Sequence, residues 1–72
     1  MSDDYTDFGQ AAYFAERALA SAREAGRNLA KAHRARKKLQ IIYWARGAEW
    51  WEHNAKRYEQ DAHYYWHKAT RA

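Results

Sequence analysis

The stretch AEWWEHNAKRYEQDAHYYWHKA, residues 48–69, decides the fold because methyl groups and aromatic rings alternate along it at every third or fourth position. The alternating residues are Ala48, Trp51, Ala55, Tyr58, Ala62, Tyr65 and Ala69. This spacing places all of them on one stripe of an α-helix. The rings fill space, and the alanines between them let a second helix approach closely. The stretch therefore predicts a helix over residues 48–71 that packs against another helix.

The composition points to an all-α fold that associates with itself. The chain has 72 residues, sixteen of them Ala, and it contains no Cys, Pro or Val. Strands favour β-branched residues, so a sheet is not expected. A chain this short buries only about 60% of the surface of its unfolded form. Without Cys it has no disulfides and lacks the best zinc ligand, which leaves oligomerisation as the usual means of stabilisation.

The residues before this stretch predict one long helix over residues 8–46. Its apolar stripe runs through Phe8, Ala11, Ala15, Ala18, Ala22, Ala25, Leu29, Ala32, Arg36, Leu39 and Tyr43. Gly47 is the expected break, because Arg46 before it suits a helix C-terminus and Glu49 after it suits a helix N-terminus. The prediction is an antiparallel helical hairpin, with residues 1–7 as a flexible N-terminus and 8–72 as a single helical domain. The alternative is a three-helix bundle with breaks at Gly26 and Gly47.

The unequal lengths of these two helices predict a homodimer of the coiled-coil type. Folded back, helix 48–71 would cover only about residues 22–46 of the first helix at 1.5 Å per residue. A second protomer is the simplest cover for the remaining apolar stripe. The predicted dimer seam consists of Phe8, Ala11, Ala15, Ala18 and Ala22.

A basic ridge is the strongest charge feature of the chain. It consists of Arg23, Arg27, Lys31, Arg34 and Lys38, at spacings of three and four residues. Between Glu24 and Glu49 there is no acidic residue. Such a ridge is typical of a solvated helix face, of a nucleic-acid contact or of a surface for an acidic protein. No helix-turn-helix, zinc-finger or ribonucleoprotein motif accompanies it, so the signal is electrostatic alone.

Aromatic residues outside the two stripes are candidates for contact with a partner. Tyr64 and Trp66, near the C-terminus, are the residues that we expect to make such contacts, since Trp, Tyr and Arg are the usual anchors of interfaces. The alternative is that the additional rings widen the core, and this interpretation suits Trp44 and Trp50 best.

Histidines and nucleophiles give little indication of chemistry. His63 and His67 lie four residues apart and are weak metal candidates, but a closed site needs further ligands and only His53 is near. Glu59, four residues before His63, favours a surface hydrogen-bonding pair instead. With two serines, no Cys and no glycine-rich phosphate loop, we expect neither a cofactor nor an enzyme.

These observations predict a non-enzymatic helical interaction protein that binds and modulates another macromolecule, with a protein as the favoured partner. The alternatives are a nucleic-acid-binding protein that uses the ridge over residues 23–38, and a purely structural assembly component. The size and the Ala- and Arg-rich composition are similar to those of small accessory proteins of phages and mobile elements, a likeness that carries over no functional residue. We expect a cytoplasmic location without membrane association, because no leader-like segment and no long apolar run is seen.

Overall fold

The chain forms two antiparallel helices, which confirms the predicted all-α hairpin. The computed structural model describes the backbone of residues 3–71 and the side chains of residues 6–71. Helix α1 spans Asp3–Arg34 and helix α2 spans Lys38–Thr70, and residues 35–37 connect them. The Cα atoms occupy a rod of 54 × 13 × 11 Å. In the described part of the chain, neither helix has an apolar stretch long enough to cross a bilayer.

The position of the turn differs from the prediction. Gly47 lies inside α2 and Gly26 lies inside α1, so the expected break at Gly47 is wrong and the three-helix alternative is wrong as well. Both helices also extend beyond their expected starts. Helix α1 begins at Asp3, so residues 3–7 are helical and do not precede the first helix as expected.

Equal helix lengths explain why the chain turns at residues 35–37. The two helices have 32 and 33 residues, so each can pack against the other along its whole length. A turn at Gly47 would leave the first half of the long helix without a partner. Helix α2 begins without a side-chain cap and without an acidic residue in its first turn. The missing cap costs about 1 kcal/mol and the missing acidic residue a few tenths of a kcal/mol, which together are less than the burial gained along the seam.

The α2 side of the seam follows the predicted stripe. Ala48 and Ala69 are buried, and the residues between them in the stripe are half-buried. Trp44 continues the same spacing by one step towards the turn and is half-buried too. The alternation of small and aromatic residues over residues 48–69 is therefore the surface that packs on α1.

On α1, the observed seam agrees with the predicted stripe at every second position. At the positions between, the residue that faces α2 is one earlier in the sequence than predicted. The residues that face α2 are Asp7, Ala11, Phe14, Ala18, Ser21, Ala25, Asn28 and Ala32, all buried or half-buried. Ala11 and Ala18, expected in a dimer seam, thus pack against α2 of the same chain. Phe8, Ala15 and Ala22 lie beside the seam and are exposed. The prediction was wrong because the observed seam includes the polar residues Asp7, Ser21 and Asn28, so that the neighbouring stripe is the more apolar of the two.

Contacts at three levels along the hairpin define the register of the helices. The Phe14 ring stacks between those of Tyr65 and Tyr58, with ring centroids 5.6 and 6.2 Å away. Asp7 Oδ1 lies 3.9 Å from Lys68 Nζ. At the other end, the Asn28 side chain lies against the backbone of Gly47, where an added Cβ would be 3.4 Å from Asn28 Cγ. Gly47 thus permits close helix packing and does not end a helix.

Candidate interaction surfaces

One side of the hairpin, here called the front face, is an open groove that is apolar along α1. Its α1 wall is a second stripe at spacings of three and four residues, formed by Phe8, Ala12, Ala15, Leu19, Ala22, Gly26 and Leu29. Leu19 is 61% exposed and Leu29 is 50% exposed. A stripe this regular on the open side of a helix is typical of a surface that a further helix covers.

The α2 wall of the front face is mixed in character. It contributes Ala45, Glu49, Glu52, Ala55, Glu59, Ala62, His63 and Trp66. The groove has two adjoining parts of about 760 and 420 Å³, which share Ala22 and Ala55. At the open end of the hairpin, the rings of Phe8 and Trp66 meet edge to face at 5.4 Å. The front face is therefore a long, open groove that is lined by alanines and bordered by carboxylates on its α2 side.

The hairpin exposes more surface than a compact protein of its mass. Its accessible surface is 6133 Å², whereas a folded monomer of 8.6 kDa exposes about 4,700 Å². The excess is about 1,400 Å², and a specific interface buries roughly 800 Å² per partner. No large side chain among residues 6–71 is fully buried. A second molecule could therefore cover the front face and still leave surface for a further contact.

The opposite side, here called the back face, carries exposed aromatic rings in line with cations. On α2 the line has a spacing of seven residues and consists of Tyr43, Trp50, Arg57 and Tyr64, and Arg71 continues it directly after the end of the helix. Trp50 is 59% exposed, Tyr64 61% and Tyr43 68%. Helix α1 adds Tyr13, Arg17, Arg27, Lys31 and Arg34, and Lys68 completes the set.

Cations and rings on this face also contact each other. The guanidinium of Arg17 lies 5.9 Å from the ring centre of Tyr13 and 5.7 Å from that of Tyr58. Lys31 Nζ lies 4.4 Å above the ring of Trp44. These contacts hold the long side chains against the aromatic surface with their charges towards solvent.

The charges of the hairpin are segregated between the two faces. The back face holds seven cations, namely Arg17, Arg27, Lys31, Arg34, Arg57, Lys68 and Arg71. Its carboxylates among the described side chains are Glu24, Asp61 and Asp7, the last of which lies at the edge of the seam 3.9 Å from Lys68, so cations outnumber carboxylates on this face by more than two to one. The front face carries Glu49, Glu52 and Glu59, and its cations among the described side chains of α2 are Lys56 and, seven residues before Ala45, Lys38.

The predicted basic ridge is divided in the structure. Lys38 is the first residue of α2 and lies beyond the turn, so the ridge does not continue along one helix as expected. Arg27, Lys31 and Arg34 lie on the back face, and Arg23 lies on the outer edge of α1. Arg27 Nη1 donates a hydrogen bond of 2.6 Å to Glu24 Oε1. The ridge therefore contributes three of the seven back-face cations.

The remaining predicted residues lie on different faces. Tyr64 is on the back face, whereas Trp66 is in the front groove. His63 and His67 have ring centroids 6.4 Å apart, and His63 Nε2 is 3.9 Å from Glu59 Oε1. Within residues 6–71 no group of three metal-ligating side chains comes together. The two histidines are thus a solvent-exposed pair along one helix.

Sequence reasoning missed the line of residues at seven-residue spacing on α2. The spacing from residue 43 to residue 71 is visible in the sequence, but the prediction places residues 43–46 on the other helix and so divides the line. No known protein family, curated protein or solved structure matches the chain. The function is therefore inferred from the two faces themselves.

Proposed function

We propose that the chain is a non-enzymatic helical interaction protein that acts as a homodimer and binds a second macromolecule. Two copies associate through their front faces and leave both back faces open. The observation that carries this proposal is the second apolar stripe of α1, which α2 does not cover. Both faces are open surfaces of a two-helix rod, which suits macromolecular contact better than the enclosure of a small substrate.

The charge distribution favours a second copy on the front face. Two back faces would repel each other, since each carries seven cations and three carboxylates. The front face offers an apolar stripe whose alanines permit close helix packing. A two-fold axis would place α1 of one chain against α1 of the other, with α2 of each chain on the outside. Covering this face would lower the exposed surface area of each chain towards the value for a compact protein of the same mass.

The sequence favoured a protein as the second macromolecule, and the exposed aromatic and arginine side chains of the back face are the types that anchor protein interfaces. The same face also supports the nucleic-acid alternative, because cations outnumber carboxylates on it. Its partner in either case is acidic. We place this function in the cytoplasm, because a chain without Cys has no disulfides that would require an oxidising environment.

A single substitution on each face tests self-association. Ala15→Glu puts a carboxylate into the front stripe, whereas Ala20→Glu makes the same change on the back face of the same helix. Both positions are exposed in the hairpin, so neither change disturbs the α1–α2 seam. We expect the wild type and Ala20→Glu to sediment as dimers at micromolar concentration and Ala15→Glu to sediment as a monomer. A wild-type monomer that stays helical would overturn the proposal.

Cross-linking provides a second measurement if Ala15→Glu unfolds instead of dissociating. The chain contains no Cys, so each variant with one introduced Cys has one thiol. Under mild oxidation, Leu19→Cys should give a disulfide-linked dimer because the axis passes near the middle of the front stripe. Ala20→Cys should remain monomeric under denaturing electrophoresis. Equal cross-linking at both positions would contradict the proposed packing.

A further inference from the structure

We infer that the back face binds a single-stranded nucleic acid. This inference rests on the proposed function in one respect: self-association through the front face leaves the back face free. The surface involved comprises the α2 line Tyr43, Trp50, Arg57, Tyr64 and Arg71 together with Tyr13, Arg17, Arg27, Lys31 and Arg34 of α1.

The charge of the back face fits a polyanion. Its seven cations are distributed over both helices and over most of the length of a 54 Å rod. Each cation that meets a phosphate releases a counterion, which makes binding favourable at low salt and steeply dependent on salt. Three carboxylates among the described side chains oppose this field. Two of them already face a cation, since Glu24 accepts a hydrogen bond from Arg27 and Asp7 lies 3.9 Å from Lys68, and the third is Asp61.

The aromatic residues of the same face fit exposed bases. Tyr13, Tyr43, Trp50 and Tyr64 are each more than half exposed, and a folded monomer has no need to keep four such rings on one side. On α2, residues seven apart stand about 10 Å from one another along the helix. A surface that repeats a ring or an arginine at that interval suits a polymer in which each unit carries one charge and one flat base.

A single strand fits this surface better than a duplex does. The major groove of B-DNA, about 12 Å wide, admits one α-helix. The back face spans two helices side by side, whose Cα atoms alone extend over 13 Å in the wider direction of the cross-section. In a duplex the bases are stacked on each other and do not offer their flat faces to the rings. Unpaired bases do, so the exposed rings favour a single strand.

Binding is measured by fluorescence anisotropy of 20-nucleotide oligo(dT) and oligo(U) with the wild-type protein. We expect the slope of log Kd against log salt to reflect several phosphate contacts, at about 0.7 per contact. The matched charge variants are Arg57→Glu and Lys56→Glu. These are neighbouring residues with the same change of charge, but Arg57 lies on the back face and Lys56 on the front. We expect Arg57→Glu to weaken binding at least about fivefold and to flatten the slope by about 0.7, and Lys56→Glu to change both little.

The aromatic contribution has its own matched pair. Trp50 is 59% exposed on the back face, and Trp66 is 52% exposed in the front groove. Loss of one stacked ring weakens binding by roughly five- to hundredfold, so Trp50→Ala should fall in that range. Trp66→Ala should bind with the affinity of the wild type. The two proteins are compared at a concentration at which sedimentation gives them the same oligomeric state. Binding should also quench the fluorescence of the wild type more than that of Trp50→Phe.

The outcomes separate this inference from the proposed dimer. Equal effects of Arg57→Glu and Lys56→Glu, or of Trp50→Ala and Trp66→Ala, would overturn the back face as the binding site. If poly-glutamate displaces the labelled oligonucleotide as strongly as unlabelled oligonucleotide does, an acidic protein is the better partner and the inference is overturned. Stronger competition by a 20-base-pair duplex would overturn the choice of a single strand. Sedimentation of the same variants reports the dimer independently, so either proposal can fail while the other stands.

Discussion

Substitution of Gly47 by Leu tests how closely the two helices approach. Gly47 lies in the middle of α2, where Leu has a helix propensity about 0.8 kcal/mol better than Gly. A Cβ at this position would already be 3.4 Å from both Cγ and Nδ2 of Asn28. The additional carbon atoms of Leu must therefore displace an Asn28 side chain that is only 9% exposed. Overpacking of this kind costs about 1–3 kcal/mol, which exceeds the gain in propensity.

The control is Gly9→Leu, because a Cβ on Gly9 meets nothing within 4 Å. We expect this variant to be more stable than the wild type by up to about 0.8 kcal/mol, and Gly47→Leu to be less stable by about 0.2–2 kcal/mol. Urea denaturation followed by circular dichroism, at one fixed protein concentration, measures both. Asn28→Ala combined with Gly47→Leu should restore part of the loss, with a coupling of at least about 0.5 kcal/mol. Equal effects at the two glycines, or strict additivity with Asn28→Ala, would refute the register that pairs Gly47 with Asn28.

Two further predictions concern the seam and the back face. Trp51→Ala removes a half-buried ring that lies at the level of Ala25 on α1. We expect the free energy of unfolding to fall by about 2–4 kcal/mol and circular dichroism to show the loss of most helicity. An unchanged melting curve would show that the seam has been assigned to the wrong face. Lys31→Glu with Arg34→Glu should abolish nucleic-acid binding with a small loss of stability, because Lys31 also contacts the ring of Trp44 at 4.4 Å. A double variant with wild-type affinity in the anisotropy assay would exclude this part of the back face.

The sequence predicted the class of fold and one side of the seam, and the reason lies in the size of the side chains. On α2, Trp51, Tyr58 and Tyr65 alternate with alanines, and only one stripe is consistent with their positions. On α1, the observed seam contains three polar residues, Asp7, Ser21 and Asn28, and the predicted stripe has Phe8, Ala22 and Leu29 in their place. The predicted stripe is the more apolar of the two, so hydrophobic periodicity favours it, and only the packing of α2 in the structure identifies the other.

The position of the turn could not be predicted from local signals. Residues 35–37 contain neither Gly nor Pro, and the glycines at positions 26 and 47 are both helical. Local preferences of a few tenths of a kcal/mol favour a break at Gly47, but pairing along the whole length of both helices outweighs them. The wrong position of the turn also prevented prediction of the α2 line on the back face, since it places Tyr43 on the first helix.

The two neighbouring stripes of α1 also bear on the proposed dimer, in which α1 would contact two partner helices. Its residues facing α2 and those of the front stripe are adjacent, so α1 is apolar over an arc much wider than one helix can cover. Helix α2 has one such stripe, and on its front side it carries Glu49, Glu52 and Glu59. In the proposed dimer, α1 would therefore lie at the centre, because burying α2 there would bury three carboxylates with only Lys56 between them. This proposed arrangement would turn the cationic back faces outwards on opposite sides, so that each would be free to bind a strand independently of the other.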